Sequence, residues 1–206
     1  AQQLAETGAL VDEKSAIYGP LLEPRLILAC GMAYKEHMKE MEVAPPSAPT
    51  AFLKSPGTLS AHRQALRLPR QDPNMVDFEC EFSCVIGRAF HNVSPEEALQ
   101  HVAGYTMVND IGSRTHTAAF GASMAGTNPM ECMRLYALSI LDKQFPGFCP
   151  MGPVIVTADE FGDPNDVTVE TRLNGELMQS AHASDRFFSL AYSLSYFSRW
   201  FTFQPG

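Results

Sequence analysis

The chain has 206 residues, 45% hydrophobic and 18% charged, which is enough apolar mass for one large core and predicts a single main domain. Fifteen lysines and arginines against 23 acidic residues leave a net charge of −8, and this excludes a phosphate-backbone binder, since counterion release needs a basic surface. No run approaches ~18 apolar residues and no basic segment leads into an apolar one, so no spanning helix or secretory leader is expected.

Five cysteines without a CxxC pair fit reduced thiols, and a cytoplasmic protein is the expectation. Residues 1–24 are polar and close on Pro20 and Pro24, the composition of an extension before the main domain at 25–206. "RLILAC" (25–30) predicts a buried strand broken at Gly31, and "AYKEHMKEM" (33–41) has helix-forming composition. "APPSAPT" is a loop, "AFLK" (51–54) a short strand and "SPGTLSAHRQ" another loop.

"VDFECEFSCVIGR" (76–88) alternates as one strand, sending Phe78, Cys80, Phe82 and Cys84 to one face and Glu79, Glu81 and Ser83 to the other. Glu79 and Glu81 then stand roughly 6.5–7 Å apart at Cα. Like charges so placed need water on that face or a cation between them. In "NVSPEEALQHVAGY", Ser94, Pro95 and Glu97 form a capping-box start to a short helix ending near Gly104.

"YTMVNDI" (105–111) predicts a second buried strand that ends on Asp110, and 112–142 is helix-compatible apart from "GTNP". "GPVIVT" (152–157) predicts a strand, and 167–181 alternates across Asn174-Gly175, a strong hairpin signal. The last segment places apolar residues at 187, 190, 191, 194, 197 and 201, a helical spacing. Strands and helices mixed without βαβ regularity indicate an α+β class.

A buried, unpaired Asp110 would be costly, and with Glu79 and Glu81 it offers three hard oxygen donors and no soft one. That set suits Mg2+ or Mn2+, with Ca2+ a further option, while zinc would recruit His or Cys. His37 and Glu40, three apart on a helix, share a face, so the carboxylate can orient the imidazole as a water-activating base; the alternative is a solvated charged face. Arg114 and Lys143 are candidate cations for an anionic substrate or an enolate oxygen, or ordinary surface charges. His62, His91, His101, His116 and His182 have no suggestive partner in the sequence.

Taken in order, "GMAYKEHMKE", "AFLKSPGTL", "VDFECEFSCVIGR", "VSPEEALQHVAGYTMVNDIGSR", "DKQF", "CPMGPVIVT" and "TRLNGELMQSA" resemble the fumarylacetoacetate hydrolase family over about residues 25–206. The resemblance implies a β-rich roll of the α+β class, usually a homodimer. It implies Mg2+ or Mn2+ held by Glu79, Glu81 and Asp110, a His37–Glu40 base, Lys143 as the site lysine, and Arg114 with Lys143 on the substrate. The implied activity is hydrolysis of a carbon–carbon bond in an acylpyruvate-like 2,4-dioxo acid, with oxaloacetate-type decarboxylation, isomerase or dehydratase chemistry and a non-catalytic relative as alternatives.

Three departures stand out. Ala33 replaces the family's asparagine, "RTHT" replaces R-D-x-Q so that Thr115 and Thr117 stand for polar residues, and the sequence stops at "FQPG", where the family continues into a Thr-Gly-Thr-Pro loop. Residues 115–142 match poorly and are expected to line or cover the pocket.

Overall fold

A computed structural model describes residues 12–123 and 128–206, with only the backbone of Ser123. The first eleven residues of the expected extension, and Gly126 and Thr127 of "GTNP", lie outside the described residues. In chain order the elements are β1 (Ile27–Gly31), α1 (Lys35–Glu40), β2 (Thr50–Lys54), β3 (Leu59–Ala61), β4 (Val76–Asp77) and β5 (Cys80–Ile86). Next come α2 (Pro95–Ala98), β6 (Val102–Asn109), β7 (Gly112–Ser113), α3 (Thr115–Ser123), α4 (Pro129–Leu141) and β8 (Cys149–Met151). The chain then runs through β9 (Val156–Thr157), α5 (Ala158–Phe161), β10 (Thr168–Leu173), β11 (Glu176–His182) and α6 (Leu190–Ser198).

The mixture is α+β, as the sequence predicts. Its main sheet has the order β3-β8-β6-β5, with β9 also pairing β6. β5 and β6 run antiparallel, with Glu81 opposite Val108 and Cys80 opposite Asn109. Gly104 of β6 permits the approach of β9, because a Cβ there would run into the Val156 carbonyl. Among the described residues β1 pairs with β2, β4 with β7 and β10 with β11, each as a two-stranded sheet.

The core gathers Phe90, Ala98, Val102, Tyr105, Leu194, Phe197 and Phe203. Leu194 and Phe197 are one turn apart on α6, the buried stripe that the helical spacing predicts. Ser195 and Ser198 on the same face fasten α6 to the chain before α2: Ser195 Oγ donates to Val93 O at 2.8 Å, and Ser198 Oγ accepts from Val93 N at 3.2 Å. At the start of α2 Glu97 Oε2 accepts the Ser94 N–H at 3.2 Å, completing the capping box.

Several expectations change, among them the loop "SPGTLSAHRQ", which contains the short strand β3. The helix begun at Pro95 stops at Ala98, and β6 starts at Val102, because a 3-10 turn over Leu99–His101 turns the chain into the sheet. β1 is half-buried rather than buried, with Cys30 exposed, since one of its sides borders a cavity. "GPVIVT" contributes only Val156–Thr157, the parallel partner of β3 being Cys149–Met151 just before it. "VDFECEFSCVIGR" forms two strands, β4 and β5, separated at Phe78 and Glu79. The Asn174-Gly175 hairpin forms as expected, both residues at positive φ (53° and 88°), as a tight turn matched to strand twist demands. All five cysteines are free.

Phe197→Ala is expected to cost about 3–5 kcal/mol, the usual loss for a buried aromatic ring, read from urea unfolding.

Candidate active site

The break between β4 and β5 falls on Glu79, and its backbone is held by side chains instead of a ladder. The Glu79 N–H donates to Asn109 Oδ1 at 3.1 Å, and its carbonyl accepts the Asp110 N–H at 2.8 Å. Beside it, the Cys80 N–H donates to Gln179 Oε1 at 3.2 Å, and Gln179 Nε2 donates to the Phe78 carbonyl at 3.4 Å. A regular strand would have aimed Glu79 by alternation; here three flanking groups aim it.

Two cations receive the Glu79 carboxylate. Arg114 Nη2 lies 2.5 Å from Oε1 and Lys143 Nζ 2.6 Å from Oε2. Burial alone would raise this carboxyl, but the charges and hydrogen bonds of Lys143 and Arg114 carry it below the ordinary range. Arg114 also binds Asp77, Nε to Oδ2 at 2.9 Å. Lys143 continues to Asp110, 3.1 Å from Oδ2 and 3.2 Å from the carbonyl. Gly112 makes room for it, because a Cβ there would lie 3.0 Å from Lys143 Cδ and Cε.

Asp110, just past the end of β6, is 4% exposed and forms an ion pair with Lys54, which is 2% exposed at the end of β2. Lys54 also donates to Ile111 O at 3.3 Å. Charges this dry are tolerated only in pairs with their hydrogen bonds met, which is the arrangement seen.

Glu81 differs from the other two. Its carboxylate makes no hydrogen bond or ion pair among the described residues. It borders a cavity of about 340 Å3 whose polar end carries Lys54, Asp110 and Thr106, with Leu26, Leu28 and Phe82 among the apolar walls. Burial, then the charges of Glu79 and Asp110, push its carboxyl up to about 8. The three carboxylates therefore share one electrostatic neighbourhood, although Asp110 is remote in sequence from the two glutamates.

Among the described residues no three or more His, Cys, Asp or Glu side chains stand gathered as a ready metal cage. Lys143 spans Glu79 and Asp110 instead. The chemistry of the donor set still fits a hard divalent cation: three carboxylates, with Glu81 unpartnered and strained by its neighbours.

His37 and Glu40 do meet, Nδ1 to Oε2 at 3.7 Å, but both side chains are exposed, and no contact joins them to the carboxylates among the described residues. α1 is tied instead to the stretch after β11, Glu36 N–H donating to Asp185 Oδ2 at 3.2 Å and Phe187 N–H to Ala33 O at 2.9 Å. None of the described residues of 115–142 lines the cavity beside Glu81. Three histidines with no suggestive partner in the sequence have one: His116 Nδ1 lies 2.7 Å from Asp142 Oδ1, His182 Nε2 3.3 Å from Asp166 Oδ1, and His91 Nδ1 3.3 Å from the Phe201 carbonyl. Lys54, Asp77, Asn109 and Gln179 were not marked by the sequence; a lysine closing the apolar run "AFLK" was the one available signal.

The α+β chain thus gathers Glu79 and Asp110 with Lys54, Lys143 and Arg114, beside a cavity bordered by Glu81. Its sequence matches the profile of the fumarylacetoacetate (FAA) hydrolase C-terminal domain over residues 26–206, and the chain belongs to that family. It is 33% identical over 187 residues to a 4-hydroxyphenylacetate degradation bifunctional isomerase/decarboxylase of Salmonella dublin, covering 91% of this chain and 40% of that protein. It is also 33% identical over 193 residues to the oxaloacetate tautomerase YisK of Bacillus subtilis, covering 92% of this chain and 59% of that one. The chain thus spans about two fifths to three fifths of these relatives. The crystal structure of 5-carboxymethyl-2-hydroxymuconate delta-isomerase from Mycobacterium smegmatis superposes with a TM-score of 0.73 at 27% identity, covering 92% of this chain and 67% of that one. No helix among the described residues is long and apolar enough to cross a membrane.

Lys54→Met is expected to destabilise by about 3–5 kcal/mol in urea unfolding, because it strips Asp110 of a buried counter-charge. In EDTA, stability is expected to fall as pH rises from about 4.5, the ordinary Glu81 value, to about 8, because the unfolded chain releases the Glu81 proton first. Glu81→Gln is expected to flatten that slope in melting temperature against pH.

Proposed function

We propose that this chain binds a small 2-oxo acid at Glu79, Glu81 and Asp110 and converts it through its enolate, with Mg2+ or Mn2+ as cofactor. The observation that carries this reading is the imbalance at Glu81. Glu79 and Asp110 have their cations at contact distance in Arg114, Lys143 and Lys54, while Glu81 borders the cavity, makes no ion pair among the described residues and feels both neighbouring charges, with Lys143 and Arg186 acting on it only from beyond ion-pair distance. Glu79, Glu81 and Asp110 would hold the divalent ion, which supplies Lewis-acid polarisation of the 2-oxo acid's oxygens.

The remaining steps belong to the chain's own residues. Lys143 Nζ, an ammonium between two carboxylates, is the donor placed to meet negative charge developing on a substrate oxygen. Arg114 holds Glu79 in place and balances its charge, and Lys54 does the same for Asp110. The cavity beside Glu81, with Lys54 and Asp110 at its polar end, offers a largely apolar wall against which a small substrate would pack.

Enolate formation is common to keto–enol interconversion and to loss of carbon dioxide from a 3-carboxylated 2-oxo acid, and neither requires an attacking water. The names of the two curated relatives, a tautomerase and an isomerase/decarboxylase, support this reading. Hydrolysis of an acylpyruvate-like 2,4-dioxo acid is the second reading, favoured by the His37–Glu40 pair, in which the imidazole would take a proton from water.

The test follows oxaloacetate ketonisation and decarboxylation, and acylpyruvate cleavage, by ultraviolet absorbance with Mn2+ and with EDTA. Turnover is expected with Mn2+ and is expected to vanish in EDTA and in Glu79→Gln; equal rates with and without the ion would overturn the proposal. His37→Ala is expected to leave oxaloacetate turnover within a few-fold, whereas under the hydrolytic reading acylpyruvate cleavage falls about 10²–10⁴-fold.

A further inference from the structure

Arg114 and Lys143 meet on Glu79 from positions 29 residues apart, immediately before α3 and just beyond the end of α4. The two helices pack together, with the rings of Phe120 and Tyr136 5.5 Å apart, and one side chain joins the hairpin's two ends. Asp142, which follows α4 and precedes Lys143, is 2% exposed. Its Oδ2 accepts the backbone N–H of His116 at 2.9 Å and of Thr117 at 3.1 Å, and the Thr117 hydroxyl at 3.4 Å. Its Oδ1 takes His116 Nδ1 at 2.7 Å. The Asp142 carbonyl accepts the Ser113 N–H at 3.0 Å, one residue before Arg114.

These bonds have a shared consequence. The first amides of a helix have no partner within it, and a negative charge is favoured at that end. Asp142 supplies both the acceptor and the charge from the far end of the hairpin, so the start of α3 and the end of α4 are fixed to each other. Ser113 and Asp142, the residues preceding the two cations, are bonded directly.

We propose that Asp142 is a positioning residue, closing the base of the α3–α4 hairpin so that Arg114 and Lys143 arrive together on Glu79. It touches neither the carboxylate cluster nor the cavity and acts only through the two cations it adjoins. The sequence hides it, because "DKQF" places the aspartate beside the lysine and far from its partners. The activity arm of the test rests on the proposed function; the spectroscopic arm does not.

The experiment compares wild type, Asp142→Ala and Asp142→Asn, with Glu131→Ala on the outside of α4 as control. Asparagine keeps an oxygen for the two backbone amides and can donate to His116, so it is expected to rescue. In metal-free protein the Arg114 Nε–H, bonded to Asp77, is read by 1H–15N NMR. Asp142→Ala is expected to shift this signal toward that of free arginine and speed its exchange, while Asp142→Asn and Glu131→Ala leave it near wild type. In kcat/KM with oxaloacetate and Mn2+, Asp142→Ala is expected to lose roughly 10–100-fold in wild type but under about threefold in a Lys143→Met background.

An unmoved Arg114 signal in Asp142→Ala, or losses that multiply in the double variant, would overturn the inference. Absence of any turnover by wild type would instead overturn the proposed function and leave the NMR comparison to decide this one. If Asp142→Ala does not fold, His116→Ala combined with Thr117→Val removes the two side-chain bonds and takes its place, with the same two outcomes read.

Discussion

Three carboxylates forced into one neighbourhood repel, and the structure around them is organised by how that repulsion is met. Lys54 and Lys143 converge on Asp110, while Arg114 and Lys143 converge on Glu79. Each cation arrives from a different stretch of chain: the end of β2, the residue before α3 and the loop after α4. A buried charge without its partner is expensive enough that none of these approaches is optional. Glu81, which borders the cavity, makes no ion pair among the described residues, and its carboxyl is the one pushed up, by burial and by the charges of Glu79 and Asp110.

The fold serves this arrangement with modest means. β5 carries Glu81 and the adjacent β6 ends one residue before Asp110, and the break after β4 lets Glu79 leave the strand direction to face the same centre. The core, where α6 seats Leu194 and Phe197 beside Phe90 and Tyr105, backs directly on the cavity beside Glu81, to whose wall Leu194, Phe197 and Phe203 belong. Stability and chemistry therefore share a wall: side chains that hold the sheet also line the cavity on which Glu81 opens.

Much of this was legible in the sequence, for reasons particular to each element. The capping box at Ser94, the Asn174-Gly175 turn and the helical stripe at 190, 194 and 197 are local signals that tertiary packing did not override. Glu79, Glu81 and Asp110 stood out because acids inside apolar runs need an explanation. Lys54 did not, since a lysine closing a short strand looks the same whether its ammonium meets water or an aspartate. The break at Glu79 was equally hidden, because alternation in "VDFECEFSCVIGR" is perfect and the residues that interrupt the ladder, Asn109 and Gln179, lie 30 and 100 positions further on. The partner of His116 was out of reach for the same reason of distance along the chain. His37 and Glu40 were correctly paired with each other, but spacing on a helix says nothing about what the pair faces.

The attachment of the β10–β11 hairpin through Gln179 has a consequence of its own. The amide that steadies Phe78 and Cys80 sits four residues beyond the turn, while the exposed apolar tip, Leu173 and Leu177, extends past it. A lever anchored near its base transmits little from its end. The tip is thus free to drift in sequence, or to be recruited to new contacts, without disturbing the acids, whereas Gln179 and the Glu170 carbonyl, which accepts the Cys80 thiol at 3.5 Å, carry the mechanical link between this arm and β5.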